Sequence, residues 1–265
     1  MKQFTYADAP RAKGSRPLSP LAEAMIVVTV AVALVIPCFW LPRLLAGDLQ
    51  SHTYNAWLAT QVEQGSAVGL TLGRQVTNVL GDWCLQWILN HAGPAAAEQI
   101  TGAVAVEIFF WGAFALAAAV AGKRCWVIAP SLGMLAYGLI FQLGFLNFYL
   151  SMGLSLWVLV ILWRPRGRWM WVAAPVAVMA LLAHALPVLW AGVSLAYLQV
   201  LRRVPKSSGL YVFLAGVGLE VLGQAVLFHF VPARWSLGDI LGLEAALGVT
   251  GAEQLWLFGL KYLIP

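Results

Sequence analysis

Gly47-Asp48-Leu49-Gln50-Ser51-His52-Thr53-Tyr54-Asn55 follows directly on a long apolar run, Ala24 to Leu41, and brings a carboxylate, an imidazole and an amide to the point where that run ends. Ionisable groups are costly beside lipid, so the cluster invites a functional reading. If residues 48–63 form a helix, Asp48, His52, Asn55, Ala59 and Glu63 share one face, and Tyr54, Trp57, Leu58 and Val62 the opposite one. Such a helix lies on a membrane with its polar side up. Two readings of Asp48 stay open. It caps the helix after Gly47 breaks the run, or its carboxylate serves as a general base or metal ligand, with His52 one turn away to orient it or share the ion.

The whole composition points the same way. Apolar residues make up 61% of the chain and charged residues 10%, against about 25% charged in an ordinary soluble domain. This is the profile of an all-α polytopic membrane protein. A pI near 9.3 would also fit a nucleic-acid binder. The cations, however, stand in short clusters between apolar runs, which is how cytoplasmic loops look, so no nucleic-acid partner is expected. Cys38, Cys84 and Cys125 are too scattered for a disulfide framework or a CxxC metal site.

Apolar runs at 24–42, 95–121, 125–142, 145–163, 169–184, 187–201 and 209–230 predict seven transmembrane helices, at roughly 20 residues per crossing. The first run exceeds a signal-peptide core and reads as an uncleaved anchor. Basic residues on both sides of the stretch from Trp169 to Leu201 place its two ends on one side of the membrane. It is therefore two helices, turned at His184 and Pro187. With residues 1–20 as a cytoplasmic tail, twelve of the sixteen lysines and arginines are cytoplasmic, at the tail, 123–124, 164–168 and 202–206. Loop 43–94 is then extracytoplasmic. Within it, Leu72 to Ile88 predicts a second surface helix, with Leu72, Val76, Val79, Leu80, Trp83 and Trp87 as its apolar stripe and Arg74, Asn78 and Asp82 on the other side.

Asp82 with Arg74 forms a second candidate pair on one helix face. His184, His229, Asn147 and Tyr149 are expected to ring an outer polar pocket together with Asp48. Glu107 and Glu220 lie near mid-helix, where a carboxylate is expected to be protonated or hydrogen-bonded.

The order of elements resembles the GT-C class of membrane glycosyltransferases over about residues 20–235: a first crossing, an acidic residue in Gly47-Asp48, two juxtamembrane helices, then six crossings. The resemblance implies transfer of a sugar from a polyprenyl-phosphate donor at the extracytoplasmic face of the cell (inner) membrane. Asp48, the one matching functional position, would be the base. By their location and charge rather than by the resemblance, Arg74 or Arg234 would offer a cation to the donor phosphate, and His52, Asp82 and His184 would complete the site. A divalent metal is an open expectation, since Leu49 stands where several members carry a second acid. Residues 236–265 read as an extracytoplasmic tail or the start of a further part, and the family's later helices have no counterpart, so two expectations stay open: an inactive remnant, or a chain that needs a partner membrane protein. The alternative is a non-enzymatic transporter or assembly subunit with Glu107 and Glu220 in an ion path. A transferase needs its polar groups focused on the outer face, whereas a transporter needs a continuous polar route.

Overall fold

A computed structural model of the chain describes residues 19–73, 75–163 and 170–230. Residues 1–18, Arg74, residues 164–169 and everything from 231 onward, including Arg234, lie outside the described residues, as do the side chains of Glu220 and His229.

Among the described residues every regular element is helical. Helix α1 (Pro20–Phe39) opens on Ser19, whose hydroxyl accepts the Ala22 N–H, and Pro20 takes the first helical position, where no amide donor is needed. After a short connection comes α2 (Leu49–Glu63), then the long α3 (Leu80–Ala121), then α4 (Ala129–Ala136) and α5 (Leu139–Gln142), preceded by a 3₁₀ turn at Trp126–Ile128. Helices α6 (Leu146–Trp163), α7 (Met170–Ala183), α8 (Ala185–Arg203) and α9 (Gly209–Phe230) complete the described chain. Among the described residues four helices are long and apolar enough to cross a membrane: Pro20–Phe39, Leu80–Ala121, Leu146–Trp163 and Ala185–Arg203. Trp126–Gln142, Met170–Ala183 and Gly209–Leu219 are apolar but shorter.

Helices α3 and α6 form the core. Their backbones meet at Gly153, where a Cβ would stand 2.9 Å from the Phe109 nitrogen, so only glycine permits this approach. Phe110, Phe114, Tyr149, Leu150 and Leu154 fill the space around the crossing.

The ends of the helices gather at two poles. An ion pair between Glu23 and Arg124 joins the start of α1 to the turn after α3. Arg202 donates to the Trp163 carbonyl at 3.3 Å and lies over that indole, which brings the end of α8 to the end of α6. The end of α1, the starts of α2, α3, α6 and α8, and the end of α7 meet at the opposite pole.

Three sequence expectations change. The stretch 72–88 is not one helix. Residues 72, 73 and 75–79 are irregular, Asn78 has φ 61°, and helix begins only at Leu80. The helical stretch that follows α2 is instead residues 80–92, separated from residues 94–121 by the kink at Gly93 (φ 85°, ψ 171°) and Pro94. The run 125–142 is not one crossing helix either. It breaks at Tyr137-Gly138 into α4 and α5, though it still leads from the Arg124 pole to the Asp48 pole. Finally, α2 packs on residues 80–92 through Leu49, Thr53, Ala56 and Thr60, a stripe between the two faces expected to matter. Its threonine hydroxyls satisfy themselves on Leu49 and Ala56 carbonyls, so that stripe is buried at no hydrogen-bond cost. Tyr54, Trp57, Trp83 and Trp87 stay exposed.

The break between α7 and α8 falls where expected, but its device is His184 rather than Pro187. His184 has extended backbone (φ −164°, ψ 135°), and its Nδ1 accepts the Leu186 N–H at 3.2 Å, capping α8. Pro187 sits buried in the first turn of α8, where its missing N–H costs nothing.

Candidate functional site

The position of Asp48 is set by backbone contact. Gly47 N–H donates to the Gln142 carbonyl (2.9 Å) and Asp48 N–H to the Leu143 carbonyl (2.8 Å), so the connection after α1 docks on the end of α5. Gly144 makes this possible. It has φ 74°, and a Cβ there would stand 2.5 Å from the Leu49 nitrogen and 2.6 Å from that of Asp48.

Asp48 occupies the N-cap position of α2, yet its side chain makes no capping bond. The carboxylate is 48% exposed and leans toward His52, with Oδ2 3.6 Å from Nε2. The other ring nitrogen of His52, Nδ1, is 2.7 Å from Oδ1 of Asp82, in the first turn of α3. The histidine is thus held between two carboxylates, one on its own helix and one across the helix pair. The hydrogen bond to Asp82 pushes the imidazole above its ordinary value. Burial opposes the shift, and the charges of Asp82 and Asp48 add to it.

Asn147, 1% exposed, fixes the start of α3 from outside. Its Oδ1 accepts the Gly81 N–H at 2.6 Å and its Nδ2 donates to the Asn78 carbonyl at 3.2 Å. The irregular segment is stitched to the end of α7, with Thr77 Oγ1 donating to the Leu181 carbonyl (2.7 Å) and Val79 N–H to that of Leu182 (2.9 Å). These bonds satisfy carbonyls that α7 leaves open at its C-terminus. Ser151 holds the His184 carbonyl at 2.7 Å, and the ring of His184 meets Phe148 edge-on. Burial draws the His184 imidazole below its ordinary value.

The result is a cavity of about 410 Å³ with two kinds of wall. Asp48, His52, Asn78, Asn147 and His184 form the polar side, and Ile140, Phe145, Phe148 and Leu186 the apolar side.

No family model, curated protein or solved structure matches the chain.

Asp48, His52, Asn147 and His184 line the cavity, and Asp82 reaches it through His52. Tyr149 does not join them. It is buried in the core, and its hydroxyl donates to the Ala136 carbonyl at 2.7 Å. Asp82 pairs with His52, and the expected partner Arg74 lies outside the described residues, as does Arg234. Glu107 is hydrogen-bonded as expected, accepting from Trp111 Nε1 at 2.5 Å, while its buried Oε1 has no hydrogen-bond partner among the described residues.

The donor set does not fit a metal ion. Among the described residues no group of three His, Cys, Asp or Glu side chains could hold one, and between Asp48 and Asp82 stands the imidazole itself.

One ionic feature went unread. Glu98 is fully buried and bound by Arg43 through Nε (2.7 Å to Oε2) and Nη2 (to Oε1). The signal was available: an acid in the first turn of an apolar run demands a cation, and Arg43 stands at the end of the preceding run.

Proposed function

We propose that this chain is an integral membrane glycosyltransferase module of GT-C type, in which Asp48 takes a proton from an acceptor hydroxyl as a sugar leaves a polyprenyl-phosphate donor at the extracytoplasmic face. The observation that carries the reading is the carboxylate of Asp48: it stands at an N-cap position without capping, half exposed, on the wall of a cavity that is polar on one side and apolar on the other. A lipid-linked donor has the same division, with a hydrocarbon tail and an anionic head.

The first turns of α2, α6 and α8 line the cavity, together with Asn78 just before α3. Helix N-termini carry partial positive charge, which suits a phosphate. Arg74 and Arg234, on the same side by sequence, are the cations this reading assigns to that phosphate. The pairing of α2 with residues 80–92 supports the two juxtamembrane helices of the class. We assign seven traversals in the cell (inner) membrane, with the N-terminus in the cytoplasm. The support is that Lys123-Arg124, the start of α1 and the end of α8 lie at the pole away from the cavity, as cytoplasmic clusters should.

In the reaction the acceptor oxygen forms a bond to the anomeric carbon and its proton passes to Asp48. The bond from that carbon to the phosphate oxygen breaks, and the polyprenyl phosphate leaves with the electron pair. Such a base contributes about 10²–10⁴-fold. The test is transfer from radiolabelled polyprenyl-phosphate sugars by the full chain in vesicles, with candidate partner membrane proteins present. Asp48→Asn is expected to lower transfer about 100-fold or more at unchanged thermal stability. Equal transfer by the variant would sink the proposal.

One observation favours the transporter reading. The buried Glu107 Oε1 has no hydrogen-bond partner among the described residues, as a group that takes up an ion or proton would have none. Proton uptake into vesicles that Glu107→Gln leaves unchanged would dispose of it.

A further inference from the structure

His52 touches both acids of the site, but the two contacts differ in kind. The contact to Asp82 is a full hydrogen bond of 2.7 Å at Nδ1, while Nε2 stands 3.6 Å from Asp48, too far for a hydrogen bond at rest and close enough for one after a small rotation. Neutral histidine carries its proton on one nitrogen only, and the partner of one nitrogen decides the state of the other. A carboxylate at Nδ1 can only accept, so the proton belongs on Nδ1 and the lone pair on Nε2 faces Asp48.

We propose that Asp82 is a positioning residue: by accepting the Nδ1 proton of His52 it turns the basic Nε2 toward Asp48, so that a proton taken up by Asp48 leaves the site through His52. The inference rests on the reading of Asp48 as the base. The proton passes from Asp48 oxygen to Nε2, giving an imidazolium held between two carboxylates, and then from Nε2 to solvent, which restores both residues. No electron pair is exchanged with any other reactant.

The groups facing the imidazole support this route. Asp48 faces it from its own helix, Asp82 from α3, and His184 from the start of α8, across the cavity; Asn78 and Asn147 are uncharged. His184 cannot take over the role in its present rotamer, because its Nδ1 is committed to the Leu186 N–H. Asp82 also explains why a residue thirty positions from His52 is needed at all: it lies in the first turn of α3, the turn that Asn147 pins through Gly81.

The experiment is nitrogen NMR of the full chain, labelled with ¹⁵N-histidine and held in lipid nanodiscs, with His52→Gln to assign the His52 signals. In the wild type, neutral His52 is expected to carry its proton on Nδ1. Asp82→Asn is expected to lower the His52 titration midpoint by about one pH unit or more and to let the proton move to Nε2. Asp82→Glu should restore both. A wild-type His52 protonated on Nε2, or an unchanged midpoint in Asp82→Asn, overturns the proposal. If Asp82→Asn does not fold, the wild-type tautomer decides alone. Neither readout involves sugar, so a proton on Nδ1 with no transfer by any complex would refute the transferase reading and not this arrangement.

Discussion

Arg43 closes on Glu98 with two hydrogen bonds, Nε to Oε2 at 2.7 Å and Nη2 to Oε1, and the carboxylate it holds is fully buried while the guanidinium is 46% exposed. The pair fastens the segment after α1 to the start of residues 94–121. Removing the cation leaves a buried charge without a partner, whereas removing both leaves only a packing problem. Arg43→Met is therefore expected to destabilise by on the order of 2–3 kcal/mol, below the usual cost for a fully buried pair because water reaches Arg43. Arg43→Met with Glu98→Leu should recover most of that. Thermal unfolding in detergent measures both; a double variant no better than the single one would show that the pair does more than neutralise Glu98.

Asn147 satisfies a donor and an acceptor of the segment before α3 with one buried side chain. Asn147→Ala strands the Gly81 N–H in the interior, at about 1–3 kcal/mol. Asn147→Asp keeps the acceptor for Gly81 but buries an ionisable carboxyl against the Asn78 carbonyl, so it should not restore the loop order that alanine loses. Proteolysis between residues 66 and 79 reports that order, and alanine is expected to speed cleavage.

Gly144→Ala would force a Cβ against the nitrogens of Leu49 and Asp48 at a residue with φ 74°. The strained conformation alone costs about 1 kcal/mol, and the clash must push the Asp48 loop away. Gly69 has φ 81° but open space around it, so Gly69→Ala should cost only the first part. Labelling rates of a cysteine at position 48 compare the two: the first change is expected to alter them and the second to leave them alone.

Acid and base act on the site in opposite senses. His52 has its imidazole raised above the ordinary value, so its contribution to stability is complete below the unfolded histidine value and is lost as pH rises through the raised one. His184 is lowered by burial, so its contribution is complete above the unfolded value and is lost as pH falls through the lowered one. The stability difference between wild type and His52→Gln should shrink toward alkaline pH. That between wild type and His184→Asn, which keeps a cap, should shrink toward acid pH. Melting temperatures between about pH 5 and 8 supply the comparison.

Much of this protein was legible in one dimension. The apolar runs, the start of α2 just after Gly47-Asp48, the break at His184 and the gathering of Asp48, His52, Asn147 and His184 at one pole follow from hydropathy, charge and helical period, because these depend on what each residue does to its own solvation. The pairings did not follow. Whether Asp48 caps α2, whether Asp82 meets Arg74 or His52, and whether Glu98 finds a cation depend on how residues 80–92 lie along α2 and how α5 meets the chain at Gly47. Those arrangements hang on backbone contacts at Gly144 and on an amide, Asn147, that belongs to another helix. Solvation is a property of a residue and its near neighbours in sequence. A 2.7 Å hydrogen bond between His52 and Asp82 is a property of two elements whose docking no local pattern contains, so only the tertiary structure decided it.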